Sequence, residues 1–119
     1  MEKTITIDGK KVRFRNSGAV MLRYKMQFGK EFLAELAQME EAVQTKKVKG
    51  KDTVVSYDVE KFNLEVMYNI LWTLAKNADN SIPEPLEWLD SFEEFPVFDI
   101  FQQIEEILSN DLKIDRKNA

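Results

Sequence analysis

The stretch Asp58 to Asn77, DVEKFNLEVMYNILWTLAKN, constrains the fold more than any other part of the chain. Val59, Phe62, Val66, Ile70 and Leu74 recur at helical spacing, and Met67 and Leu71 widen the stripe. Leu64, Tyr68, Trp72 and Ala75 occupy much of the opposite side, and only Glu65, Asn69 and Lys76 form a plainly polar wedge. A surface helix needs one apolar face; a helix that is apolar nearly all round must be covered on several sides. This stretch therefore reads as the central helix of a small domain, or as a helix shared between the domain and a partner. Tyr68 and Trp72 allow both readings. They form either a second layer of core or the anchors of an interface, where such residues are enriched.

The rest of the chain has to supply the cover. Lys3 to Ile7 alternates, Asp8-Gly9 follows as a hairpin turn signal, and Val12 to Arg15 alternates again. A two-residue turn sets Ile5 opposite Val12 and puts Ile5, Ile7, Val12 and Phe14 on one face, with Lys11, Arg13 and Arg15 on the other. An isolated hairpin is marginal in water, so its apolar face must lie on helices. Asn16 or Ser17 is a candidate cap for a helix at about 18–28, which Gly29 can end in the left-handed conformation. A second helix is expected over 30–44, with Glu31, Glu35, Glu40 and Glu41 on its outside. Residues 45–57 contain KKVKGKD and read as a flexible basic loop, although Thr53-Val54-Val55 could form a short strand. The central helix at 58–77, capped by Asp58, follows. Leu86 to Asp90 reads as a short helical turn that drops Trp88 and Leu89 onto the core. A last helix opens at Pro96 and runs to 109, and a polar, frayed tail is expected over 110–119. Phe62, Phe98 and Phe101 are most simply core. The expected fold is a single α+β domain spanning 1–119, mostly helical, with an N-terminal β-hairpin packed on about four helices.

Composition excludes much chemistry. The chain has no Cys and no His, which removes disulfides, thiolate metal sites and the commonest general base. It has no glycine-rich phosphate loop, no Glu-x-x-His pair and no nucleophile elbow. The neighbouring carboxylates Glu93-Glu94 and Glu105-Glu106 diverge on a helix and make poor acid–base pairs. No catalytic residue, cofactor or metal ligand is expected. The opening MEKTITIDGK lacks the apolar core of a signal peptide, and no apolar run reaches the ~20 residues of a membrane helix, so a cytoplasmic protein is expected. The net charge of −4 conceals a polarity: residues 1–56 balance at +5 and residues 57–119 at −9. These are either two solvated faces or a basic end of one copy meeting an acidic end of the next. The candidate partner or self-association surface is accordingly Leu64, Tyr68 and Trp72 on the central helix, Arg13 and Arg15 on the hairpin, and Lys46, Lys47 and Lys49 in the basic loop.

The order of elements carries a resemblance: the hairpin TITIDGKKVRFR, a helix ending in Phe28-Gly29-Lys30, the helix EFLAEL, the long apolar NLEVMYNILWTLAKNAD, then Glu87-Trp88-Leu89-Asp90-Ser91-Phe92-Glu93 and a final helix. Over roughly residues 3 to 110 this resembles the tail assembly chaperones of phages and prophages with long non-contractile tails. The resemblance implies a small, acidic, non-enzymatic protein of the host cytoplasm, absent from the mature virion. It implies binding to the tape measure protein before the tail tube polymerises around it, in many copies. A frameshifted longer form would recruit the tail tube subunit, and this chain, ending Lys117-Asn118-Ala119, would correspond to the unextended form. Neither a membrane nor a nucleic acid is an expected partner. Two other classes stay open: a small regulatory or nucleic-acid-binding module using Lys11, Arg13, Arg15 and the lysine loop, and a subunit of an unrelated hetero-oligomer.

Overall fold

The computed structural model describes residues 1–41, 43–48, 50–57 and 63–118, with side chains described for 1–39, 50 and 63–108. Strands β1 (Glu2–Ile7) and β2 (Lys10–Arg15) open the chain, followed by helices α1 (Val20–Phe28) and α2 (Phe32–Glu41). A second hairpin, β3 (Val43–Val48) and β4 (Lys51–Tyr57), precedes α3 (Leu64–Ala78), the short α4 (Pro85–Asp90) and α5 (Val97–Asn118). The fold is α+β, with the N-terminal hairpin laid on a helical body.

The first hairpin forms because its turn and its alternation agree. Asp8 and Gly9 both have positive φ, +52° and +75°, as a turn matching the strand twist requires. The register sets Ile5 against Val12. Ile5, Ile7, Val12 and Phe14 are all buried. They lie on α3, which packs against β2, and on α5, which packs against β1. Polar groups lock the same seam. The Asn16 amide, itself buried, donates to the Ile107 carbonyl on α5 at 2.9 Å. Asp8 Oδ2 accepts the Glu93 N–H, and Lys10 Nζ donates to the Ser91 carbonyl.

Helix α3 is the centre of the molecule. It packs against β2, α1, α2, α4 and α5. Val66, Met67, Ile70, Leu71, Trp72, Thr73, Leu74 and Ala75 are buried along it. Its first turn is capped by Asn63, whose side chain accepts the Val66 N–H, so the expected Asp58 cap is not at this helix start. Asp58, Val59 and Phe62 lie outside the described residues. Around α3, Tyr24 and Phe32 stack edge to face at 5.4 Å, and Phe28 meets Trp72 at 5.7 Å. Trp88, Phe92 and Phe95 form a second aromatic cluster, which Tyr68 joins through Phe95 at 5.9 Å.

Several expectations need correction. The described residues of 45–57 do not form a flexible loop, and the possible short strand at Thr53-Val54-Val55 falls within β4: β3 and β4 pair antiparallel, and Gly50 at φ +80° helps reverse the chain between them. The register shifts between Gln44 and Thr45, which destroys the period-2 pattern by which strands are read. The paired register puts Lys47 opposite Asp52. Helix α2 consequently ends at Glu41 and not at 44. The tail is not frayed from 110, since α5 continues to Asn118; no Gly or Pro interrupts that segment, and Leu112 continues the apolar period. Neither Asn16 nor Ser17 caps α1, whose N-cap is Ala19 with no side-chain bond; the Asn16 amide donates to α5, and the Ser17 hydroxyl accepts from Asn77. Glu35 is not on the outside of α2: it is buried and accepts the Tyr24 hydroxyl at 3.2 Å. Phe98 is exposed, whereas Phe101 is core.

Candidate functional site

Nine residues make α1, VMLRYKMQF, and it is apolar on two sides. Val20 and Tyr24, four apart, point inward and are buried, with Phe28 half-buried on the same stripe. Leu22 and Met26, also four apart, fall about 200° away on a helix that turns 100° per residue. They are left 63 % and 78 % exposed. Among the described residues no element covers them. A short helix with two apolar stripes buries one and presents the other, and here the presented stripe is one wall of a groove.

The groove has a volume of about 680 Å³ and is lined by Ala19, Leu22, Arg23, Met26 and Gln27 of the α1 side, Trp72 and Lys76 of α3, and Ile82, Pro83, Glu84 and Glu87 of the far wall. Trp72 is only 3 % exposed, so it forms floor and not rim. The far wall is held in place by hydrogen bonds to its backbone. The Trp72 indole N–H donates to the Pro83 carbonyl at 2.8 Å. Lys76 Nζ donates to the carbonyls of Asn80 and Ile82. Asp79, which follows the last turn of α3, accepts the Ser81 hydroxyl and N–H, and these bonds hold its carboxyl below the usual carboxylate range. Gln27 ties the two walls by donating to Glu84 at 3.0 Å.

Behind α1, the Tyr24 hydroxyl is held well above the ordinary tyrosine range, first by burial and then by the Glu35 carboxylate beside it. A neutral, hydrogen-bonded Tyr24 thus fixes α1 against α2 and sets the orientation of the exposed stripe. The groove itself holds one conspicuous polar anomaly. Arg23 Nε is buried and has no hydrogen-bond partner. Such a donor is costly to leave unmade.

The expected surface residues separate. Trp72 and Ala75 are core, Tyr68 is half-buried against Phe95, and Leu64 is 46 % exposed at the start of α3. The four therefore do not form one interface, because α1, α4 and Phe95 cover different parts of that side. Arg13 is not a free cation: it pairs with Glu2 at 3.3 Å and donates to the Ala78 carbonyl at 3.0 Å. Arg15 is exposed, and its carbonyl accepts the Asn77 amide. Lys46 and Lys47 lie on β3, where only the backbone is described, and Lys49 lies outside the described residues. The sequence reads as one apolar face on this helix, Met21, Tyr24 and Phe28 extended by Leu22 and Met26, but only Tyr24 of these is fully buried, and Met21, Leu22 and Met26 are exposed. The signal was present in the i, i+4 spacing of Leu22 and Met26 opposite Val20 and Tyr24, which one apolar face cannot accommodate.

The charge polarity also looks different in three dimensions. The basic hairpin meets the acidic half within the same chain, through Lys3 with Glu106 at 3.8 Å and through Lys10 and Arg13 on carbonyls of that half. Among the described residues no group of side chains could hold a metal ion, and no helix is long and apolar enough to cross a membrane. No family model matches the sequence, and no curated protein or solved structure matches it.

Proposed function

We propose that this protein is a tail assembly chaperone of the long non-contractile phage or prophage type, and that its groove holds a helical segment of the tape measure protein. The observation that carries the reading is the Leu22–Met26 stripe, exposed over the Trp72 floor. A tape measure protein is long, helical and apolar, and needs its apolar stripe covered until the tail tube forms. Methionine suits the task because its unbranched, polarisable side chain repacks around varied apolar surfaces. Leu22 and Met26 lie four apart, which is the spacing that meets an i, i+3, i+4 stripe on a partner helix. The resemblance in the order of elements, from the first hairpin to the Glu87–Glu93 stretch, supplies the rest.

The action is binding and release, with no chemical step, in the host cytoplasm. Many weak contacts along one filament give avidity without making any one contact hard to reverse. Several copies on one tape measure protein, and recruitment of the tail tube subunit through a longer form, complete the proposal. Of the cations on which the nucleic-acid reading rests, Arg13 is already engaged within the chain, by Glu2 and by the Ala78 carbonyl. Co-expression with a tape measure segment tests the proposal. The wild-type protein is expected to move the segment into the soluble fraction, and Met26→Glu to leave it insoluble. No rescue by the wild type would overturn the chaperone reading.

A further inference from the structure

We infer that the groove takes an amphipathic helix of another chain, whose apolar stripe covers Leu22, Met26 and Trp72 and whose flanking carboxylate ion-pairs with Arg23. This rests on reading the groove as a protein-binding site, and it names what selects the partner.

Arg23 lines the groove from α1 and forms no ion pair among the described residues; its Nε is buried within the chain, which leaves the terminal nitrogens to meet a partner's carboxylate. Its neighbours differ. Lys25 pairs with Glu31 at 2.9 Å, and Lys76 is spent on two carbonyls of the far wall. A guanidinium is a planar fork that a carboxylate matches in two parallel hydrogen bonds. The groove's own carboxylates do not serve: Glu84 is engaged by Gln27, and Glu87 stands on α4 across the groove. The site thus offers a cation on the α1 wall and carboxylates on the far wall, with an apolar floor between. The complementary surface is an apolar stripe with an acid on one flank and a base on the other, which fixes the direction in which a helix lies.

The occupant is a helix and not an extended strand. Among the described residues no strand edge lines the groove, and Pro83 has no N–H to offer. The Pro83 and Ile82 carbonyls already accept from Trp72 and Lys76. A segment that satisfies its own backbone is therefore the one that can lie here. Nor is the occupant a small molecule, because such sites bury most of the ligand, whereas the Leu22 and Met26 wall stands open to water.

The test titrates the full-length protein with three fluorescent Ala-rich helical peptides, each with Leu at i, i+3, i+4 and i+7 and either Glu, Gln or Lys flanking the stripe. The Glu peptide should bind roughly tenfold tighter than the Gln peptide. Arg23→Gln should erase the Glu preference, so that the Glu and Gln peptides bind that variant equally. Arg23→Glu should reverse the order in favour of the Lys peptide, and thermal melts would confirm that both variants fold. Equal affinities on the wild type, a Glu preference that survives Arg23→Gln, or binding of none of the three would overturn the inference. The two readings fail separately. Tape measure rescue that is indifferent to Arg23→Gln removes Arg23 from selection and leaves the chaperone reading standing. A Glu preference without tape measure rescue keeps this inference and moves it to another helical partner.

Discussion

The two sides of α3 receive opposite treatment. On the β-hairpin side, Phe14 and Ile7 are sealed against α3 and α5, and hydrogen bonds donated by Asn16 and Lys10 and accepted by Asp8 close the rim. On the α1 side, Trp72 is equally buried, yet its cover ends in a stripe of Leu22 and Met26 that faces water. The first side joins elements remote in sequence, and its side chains have no second task. The second is assembled from a short helix and a proline-bearing loop, and it keeps apolar surface that folding does not use. Surplus apolar surface beside a rigid floor is the usual preparation for a partner.

The sharpest way to break this comparison is Phe14→Ala. Truncating a fully buried aromatic on the sealed side should cost about 3–5 kcal/mol in denaturant unfolding, because nothing nearby can close the cavity. A much smaller cost would mean that the hairpin side is not sealed.

Trp72→Phe comes next. It removes the indole donor to Pro83 and part of the floor, and should cost about 1–3 kcal/mol while loosening the far wall. Hydrogen exchange should then rise at residues 79–84 more than in the hairpin; uniform exchange would show that the wall is held by something else.

Tyr24→Phe probes the element shared by both sides. Losing the hydroxyl leaves the Glu35 carboxylate buried without that partner, at a cost of about 1–2 kcal/mol. The pH dependence has a definite sign. The folded-state pKa of Tyr24 is raised above the unfolded value of roughly 10. Its contribution is therefore fully present below that value and is lost as the pH climbs toward the folded pKa. Wild-type stability should fall on alkaline titration above about pH 10, and the fall should be smaller in Tyr24→Phe. Parallel titration curves would detach Tyr24 from the effect.

The smallest expected change in stability belongs to Met26→Glu, within roughly 0.5 kcal/mol, since the side chain is already in water. A marked destabilisation would show that the stripe is needed by the fold, and would remove the distinction between the two sides.

Much of this architecture was legible in the residues. Alternation in TITI and VRFR, joined by Asp8-Gly9, specifies a hairpin and its register through local sterics and a period of two. The apolar period of α3 and α5 identifies the central helix and one of its covers. The second hairpin was not legible, because its register shift breaks the alternation and its lysines resemble a solvated loop. The groove was half legible: two apolar stripes on α1 are visible in the sequence, but not which of them is covered.

The sequence by itself determined which segments are helices or strands wherever the hydrophobic period is regular, because that period is a property of neighbours along the chain. The apolar excess of the Asp58–Asn77 stretch likewise required cover from several sides. Only the tertiary structure decided that Trp72 is floor, that Glu35 is inside, and that Arg23 faces the groove without a partner on Nε. These outcomes depend on where α1 comes to rest against α2, α3 and the 79–84 loop. Contacts between remote segments set that position, and no local pattern encodes it.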